Sequence, residues 1–315
     1  MKHPTVNSFS AHYRRKYCRG VGKIPLHAGP ACPNRRHGGC IYCRPGSFAP
    51  GYLDRNDPVS RQIARGKTHL LRDRFQLFFG YFQQETATSL AAGELLPMLI
   101  PVLADPDCVG IILSARPDCL EKPLLESLAE LAARTGREFL LEIGLQSSHE
   151  RSLRFLNRNH SVQDFIDAVR RVKNFPGLQT GGHLIMGIPG ESVEDMRVTL
   201  RLAAALGIDA LKLHHLQVIR GTPLHAMYRR GDIKVFTARE YLELLTLLLP
   251  EISRRVVIHR LWSHSHPGLL AAPRWNMLAG ELRVRLDRMM EKRGIWQGKN
   301  HDALCKQSRS GTAGN

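Results

Sequence analysis

Short apolar runs alternate with amphipathic stretches along most of this chain. Lys23–Ala31 reads as a first strand, a helical pattern covers 58–74, and Gln76–Gln83 is a second, aromatic-rich strand before a helix through the 90s. Cys108–Ser114 is an apolar run of strand length, and 121–135 carries apolar positions at helical spacing closed by Gly136. Phe139–Leu145, Gln179–Ile188 and Ile208–Val218 continue the strands. Between them lie helices at 162–174, stopped by Pro176-Gly177, and from a Ser192 cap to about 206. Six strand-then-helix units in succession predict an α/β fold with a parallel sheet and helices outside it. A complete eight-unit barrel takes about 250 residues, whereas these six units occupy roughly 200. The expectation is therefore a partial (β/α)6 barrel, with an open doubly wound sheet as the alternative. In both, chemistry belongs at the C-terminal ends of the strands.

After 225 the pattern changes to a helix at 237–249, a strand Val256–Trp262, a polar His/Ser loop and a basic helix at 275–293. This predicts a C-terminal α/β extension covering the open side of the barrel. The organisation reads as a basic N-terminal segment (1–22), a core barrel (23–225), the extension (226–297) and an aperiodic, disordered tail (298–315). Hydrophobic residues make up 43% of the chain and mean hydropathy is -0.24, as in globular proteins. The apolar run 95–104 is too short for a bilayer and holds two prolines, so no membrane association is expected. Seven cysteines without a secretory h-region predict a reducing cytoplasm.

Charge adds a partner class. Lys and Arg number 45 against 28 Asp and Glu, a net +17, which points to a polyanion, with nucleic acid ahead of an acidic membrane. His12–Tyr17 interleaves bases with aromatics, and Arg283, Arg285, Arg288, Lys292 and Arg293 recur at helical spacing. These basic runs are expected on the face that carries the cysteine loop described next.

Cys32, Cys40 and Cys43 lie in one loop after the first strand, with Gly38 and Gly39 allowing the backbone to fold back and Tyr42 beside the last pair. Three thiolates are one short of a closed tetrahedral set, so a metal or cluster held there keeps an open position. On spacing alone, an iron–sulfur site and a Cys3His zinc site using His37 are both open. Zinc would make the chain a non-catalytic, zinc-stabilised RNA-binding module. Lys212, His214, His215 and Gln217 crowd the sixth strand and are expected to face a substrate, with Lys212 and His214 the catalytic candidates. His259, His264 and His266 form a second histidine group, read as a surface loop. Cys18, Cys108, Cys119 and Cys305 show no second cluster spacing, Cys108 reading as core and Cys305 as tail.

Taken together, the cysteine loop and the six β/α units resemble the radical S-adenosylmethionine (SAM) superfamily. Phe82–Thr88 stands where that superfamily places its methionine-binding turn, with Gln84 and Glu85 in place of the usual glycines. Gly144-Leu-Gln146 and Asn157-Arg158 match the paired Gln and Arg of the anaerobic coproporphyrinogen oxidase branch, and His183–Gly190 resembles the strand-5 motif that lies against the adenine. Cys32-Pro-Asn-Arg, Tyr81-Phe-Gln83, Ala115-Arg-Pro-Asp118, Leu211–His214, Val257–Arg260 and Ala272-Pro-Arg-Trp275 are similar to the YhcC/YtqA-type family, related to the catalytic subunit of elongator. The likeness runs from about residue 8 to 297. The seven residues between Cys32 and Cys40 depart from the family spacing and leave the loop's shape open.

The resemblance implies a radical SAM barrel whose [4Fe–4S] cluster is held by Cys32, Cys40 and Cys43, cleaving SAM to a 5′-deoxyadenosyl radical. It further implies Tyr42 beside the adenine, Gln84, Glu85 and Thr86 at the methionine amino group, Arg158 at the SAM carboxylate, and Glu142 and Gln146 near the ribose. The substrate it implies is the C5 substituent of a tRNA wobble uridine, with an electron donor such as flavodoxin or ferredoxin. A small metabolite is the alternative substrate.

Overall fold

The structure, a computed structural model, describes residues 4–71 and 74–301. The chain begins with α1 (Phe9–Tyr17), β1 (Val21–Leu26), α2 (Val59–Gly66), β2 (Leu77–Phe82), α3 (Ala92–Leu103), β3 (Cys108–Ala115) and α4 (Lys122–Thr135). It continues through β4 (Glu138–Gln146), α5 (Glu150–Phe155), α6 (Val162–Lys173), β5 (Leu178–Met186), α7 (Val193–Ala205), β6 (Ala210–His215) and β7 (Val218–Ile219). It closes with α8 (Pro223–Arg230), α9 (Ala238–Leu248), β8 (Val257–Arg260), β9 (Leu270–Ala272) and α10 (Ala279–Lys292). Seven strands form one parallel sheet in the order β1-β2-β3-β4-β5-β6-β8. The sheet curls into a half-barrel: Lys23 Nζ on β1 lies 3.2 Å from His259 Nδ1 on β8, although five strands separate them in the sheet order.

Helix stripes pack against the outside of the sheet. Leu125, Leu128 and Leu131 of α4 and Phe165, Val169 and Val172 of α6 are buried there, each full burial worth about 1.5–3 kcal/mol. Ser161, Ser192 and Thr237 cap α6, α7 and α9 with reciprocal bonds to Asp164, Asp195 and Glu240, which fixes where these helices start.

The partial barrel and its extension are as expected, with informative differences. The strand placed in the extension joins the main sheet as β8, beside β6. The predicted sixth strand breaks after His215, and β7 pairs antiparallel with β9 in a small second sheet. Helices α1, α5 and α8 were not predicted. Apolar positions four apart in α1, Phe9, Tyr13 and Tyr17, are hidden among basic residues. Phe9 and Tyr13 pack on Phe79, with ring centroids 5.8 and 4.8 Å away, so α1 plugs the interior of the half-barrel.

That plug corrects the expected placement of the basic runs. Lys16 pairs with Glu138, at the N-terminal start of β4, at 2.9 Å. Arg14–Lys16 therefore lie at the end of the barrel opposite the strand C-termini. Among the late basic residues, Arg283 pairs with Asp287 at 2.8 Å and Arg293 with Glu243 at 2.6 Å, on the α9–α10 layer. Of the expected disordered tail, 298–301 is described and packs on the end of α9 through Gly298 N to Leu249 O at 3.2 Å. Residues 302–315, with Cys305, lie outside the described residues.

Candidate active site

One cavity of about 190 Å³ opens at the C-terminal ends of the strands, under the cysteine loop. Every strand of the sheet from β2 onward contributes to it, through Gln83–Thr86 after β2, Ser114–Arg116, Glu142 to Gln146, His183 and Ile185, Lys212 and His214, and Arg260. Cys32, Cys40, Tyr42 and Cys43 form its upper wall.

The long spacing between Cys32 and Cys40 is filled by a single 3-10 turn, Pro33–His37, and then by Gly38 and Gly39 at φ 82° and 73°. Both glycines sit in the left-handed region that side chains avoid, and they return the chain to Cys40. Three asparagines hold this shape. Asn34 Nδ2 donates to Cys40 Sγ at 3.3 Å and to Asn157 O at 2.7 Å. Asn159 Nδ2 donates to Asn34 Oδ1 at 2.7 Å, and Asn157 Nδ2 donates to the carbonyls of His37 and Gly39 at 2.9 and 2.7 Å. In the sequence Asn34 and Asn157 stand only as motif letters, and no local signal marks them or Asn159 as loop anchors.

The donor set fits a cluster better than one ion. The His37 side chain is exposed and does not line the cavity. Among the described residues, no three His, Cys, Asp or Glu side chains converge on one ion position. A multi-iron cluster spreads its thiolates over several metals, so three thiols around one cavity suffice. Two N–H groups also reach Cys40 Sγ, from Asn34 and from Arg158 Nη1, each at 3.3 Å, as befits cluster sulfurs stabilised by hydrogen bonds.

Glu85 takes a glycine's conformation without being glycine, at φ 59°. Its carboxylate accounts for the residue: Oε2 accepts from Cys32 N at 2.9 Å and from Arg35 Nε at 3.1 Å, and Oε1 accepts from Arg35 Nη2 at 2.9 Å. The turn after β2 is thereby tied to the first cysteine. Gln146 is also left-handed, at φ 70°, where β4 bulges. A Cβ on Gly144 would meet Gln146 Nε2 at 2.7 Å and Arg158 Nη2 at 3.0 Å, so a side chain at this strand position would push both groups from their places.

Arg158 is buried beneath Tyr42. It donates to Cys40 Sγ and Tyr42 Oη from Nη1, to Gly144 O from Nη2 and to His160 Nε2 from Nε, at 3.1–3.3 Å. These bonds use four of the five guanidinium donors. Around it, Gln84 Nε2, Gln146 Oε1 and His183 Nε2 are buried and have no hydrogen-bond partner in the protein, while Glu142 Oε1 faces His259 Nδ1 at 3.6 Å. All four residues line the cavity. Such groups call for a polar ligand. Thr86 is buried on the same wall.

A Radical SAM superfamily model matches residues 27–203, and a Radical_SAM C-terminal domain model matches 208–292. The chain belongs to the radical SAM superfamily. Its cofactors are accordingly a [4Fe–4S] cluster and SAM, and it is an enzyme, which sets aside the zinc-stabilised module. It is 32% identical to protein MJ0486 of Methanocaldococcus jannaschii over 92% of this chain and 90% of that one. It is 29% identical to YtqA of Bacillus subtilis (96% and 94% covered) and to YhcC of Escherichia coli K12 (92% and 94%), so it is of the YhcC/YtqA type. A tRNA uridine(34) acetyltransferase of Methanocaldococcus infernus is 33% identical over 143 residues, 44% of this chain and 26% of that protein. The solved Elp3 of Methanocaldococcus infernus shares the fold, with a TM-score of 0.63 at 18% identity over 88% of this chain and 64% of that one.

The floor of this radical SAM cavity is a buried charge network. Lys212 Nζ donates to Glu142 Oε2 at 2.8 Å and to Tyr81 Oη, and Tyr81 donates to the same Glu142 oxygen. Burial alone would raise the Glu142 carboxyl, but Lys212, His259 and Lys23 outweigh it and hold it well below the ordinary range. Burial lowers Lys212 to about 8 and Lys23 to about 7, against the pull of Glu142. His183 and His214 are held well below 6.5, first by burial and then by neighbouring positive groups, so both are neutral at neutral pH.

Lys212 and His214 line the cavity, with Phe48 5.8 Å from the His214 ring. His215 and Gln217 do not: the strand ends at His215, the alternation stops, and both line a second cavity. The second histidine group is also dispersed. His259 is inside the barrel, His264 lines the second cavity, and His266 N donates to Ser47 O at 2.9 Å. Arg260, His183, Tyr81 and Lys23 were missed as site residues, since only the curl of the sheet brings their strands together.

Proposed function

We propose that this radical SAM enzyme acts on tRNA, at the C5 side chain of a wobble uridine. The observation that carries the reading is one cavity running from three thiols to a floor of Lys212, Arg260 and neutral His214. In this reading Cys32, Cys40 and Cys43 hold the cluster. Tyr42, the Gln84–Thr86 turn, Glu142, Gln146 and Arg158 bind SAM, the uncommitted N–H of Arg158 serving its carboxylate. When bound, the reduced cluster and SAM supply a 5′-deoxyadenosyl radical that removes a hydrogen atom from an unactivated C–H bond. The protein's own groups orient SAM against the substrate, keep water out and present neutral His214 and Lys212 to the substrate side. The net charge of +17 and the partial likeness to a tRNA uridine(34) acetyltransferase support the RNA substrate. A flavodoxin or ferredoxin donating the electron, in the cytoplasm, completes the proposal. No helix among the described residues is long and apolar enough to cross a membrane.

The test is nucleoside analysis of bulk tRNA from cells with and without the gene, beside assays of reconstituted enzyme, SAM, reductant and that tRNA. The expected outcome is a changed wobble-uridine side chain in the deletion and 5′-deoxyadenosine release stimulated by its tRNA. Unchanged tRNA with no stimulation would remove the RNA substrate and leave a small metabolite.

A further inference from the structure

A second cavity, of about 280 Å³, lies beyond the end of β6, between the 263–267 loop and the 273–277 segment. Its wall contains two buried polar atoms without a protein partner, His215 Nδ1 and Ser263 Oγ, on side chains that are 1% and 3% exposed. The orientation of His215 can be read from its neighbours. Ser265 Oγ donates to Gln217 Oε1 at 2.6 Å, and Gln217 Nε2 donates to Ser263 O at 3.2 Å, which fixes the amide. Gln217 Nε2 then faces His215 Nε2 at 3.3 Å, so that ring nitrogen is the acceptor. Burial, and secondly His264, lower His215 to about 3, so the ring is neutral and its single proton sits on Nδ1. The result is a buried N–H donor with no acceptor.

The remaining wall is donor-rich and lacks acids. Arg274 is exposed, lines the cavity and donates from Nη2 to Leu270 O at 3.2 Å. That bond uses one of its five N–H donors. No Asp or Glu lines the cavity. A hydroxyl, an imidazole N–H and a guanidinium on three separate segments call for an acceptor-rich anion, and the tetrahedrally disposed oxygens of a phosphate ester meet donors arriving from different directions better than the planar pair of a carboxylate does. Leu270, Pro273, Met277 and the half-buried Trp275 add apolar surface, and the volume exceeds that of the anion alone.

We propose that this second cavity binds a nucleotide, with its phosphate on His215 Nδ1–H, Ser263 Oγ–H and Arg274. The nucleotide is either free or one unit of an RNA strand, because both present phosphate oxygens to the same donors, three non-bridging on the monoester and two on the diester. The site is separate from the cysteine-bearing cavity and stands whether or not the enzyme modifies tRNA.

The experiment titrates reconstituted enzyme, saturated with SAM, with uridine 5′-monophosphate, uridine and the dinucleotide UpU, following heat and Trp fluorescence. Uridine 5′-monophosphate is expected to bind at least about tenfold more tightly than uridine. Arg274→Gln and Ser263→Ala should each weaken it about tenfold, while substrate-free release of 5′-deoxyadenosine stays at the wild-type rate. Binding of UpU as tight as the monophosphate assigns the site to an RNA strand, and preference for the monophosphate assigns it to a free nucleotide; both support the phosphate-ester site. Equal affinity for uridine and its monophosphate, or unchanged monophosphate affinity in both variants, overturns it.

Discussion

Replacing Glu85 by glycine sets two effects against each other. The residue holds φ 59°, which costs a side-chain-bearing residue roughly 1–2 kcal/mol. Glycine removes that cost but gives back about 0.5–1 kcal/mol in backbone entropy, so the net gain is about 1.5 kcal/mol at most. The same change deletes the carboxylate that binds Cys32 N at 2.9 Å and clamps Arg35 at 2.9 and 3.1 Å. The Glu85 side chain is 6% exposed and Arg35 is 30% exposed. The backbone bond is therefore worth about 1.5–3 kcal/mol, whereas the ion pair is discounted for solvent to about 1 kcal/mol. The loss exceeds the gain by roughly 1–4 kcal/mol, taking these magnitudes together. Glu85→Gly is expected to lower stability in urea without cofactor and to retain less iron after anaerobic reconstitution. Arg35→Ala should reproduce only the smaller, ion-pair share. A Glu85→Gly protein more stable than wild type and carrying a full complement of iron would refute the reasoning, since backbone strain would then outweigh the anchor.

Four further outcomes are expected. Cys32→Ala, Cys40→Ala and Cys43→Ala should each abolish the brown chromophore, read as iron and sulfide per chain; a triple variant with full iron would unseat the assignment. Glu142→Gln should destabilise the fold by about 3–5 kcal/mol, because Lys212 stays buried without its carboxylate; adding Lys212→Met should recover part of that loss in urea titrations. Lys212 titrates near 8 in the folded chain against an ordinary 10.5. Between those values the unfolded chain binds more protons, so this group makes stability rise with pH from about 8 to about 10.5, and Lys212→Met should flatten that rise. Binding of tRNA should weaken steeply with salt; replacing the exposed Arg36, Arg44 and Arg220 near the cysteine-bearing mouth should reduce the slope, and replacing Arg14, Arg15 and Lys16 at the opposite end should leave it unchanged.

Alternation of apolar runs and amphipathic stretches was enough to locate all six β/α units, because strand and helix periodicities are local properties of the chain. The three cysteines stood out as one loop in the sequence, although their spacing alone left an iron–sulfur and a zinc site both open. Lys212 and His214 stood out too, alternating on one face of β6. Other features depended on residues distant in sequence. The seventh strand could be seen as a strand, but pairing of β8 with β6 is a long-range choice. Helix α1 looked like a nucleic-acid arm because Arg14, Arg15 and Lys16 stand together between tyrosines; only the hollow of the curled sheet makes Phe9 and Tyr13 core residues and turns Arg14–Lys16 away from the cysteines. Glu85 seemed a departure from a glycine motif until its carboxylate was found on Cys32 and Arg35. Lys23, Tyr81, Glu142, Lys212 and His259 come from five strands. Their shared burial, and so the lowered lysines and the ionised glutamate, exists only because the sheet closes far enough to exclude water from all five at once.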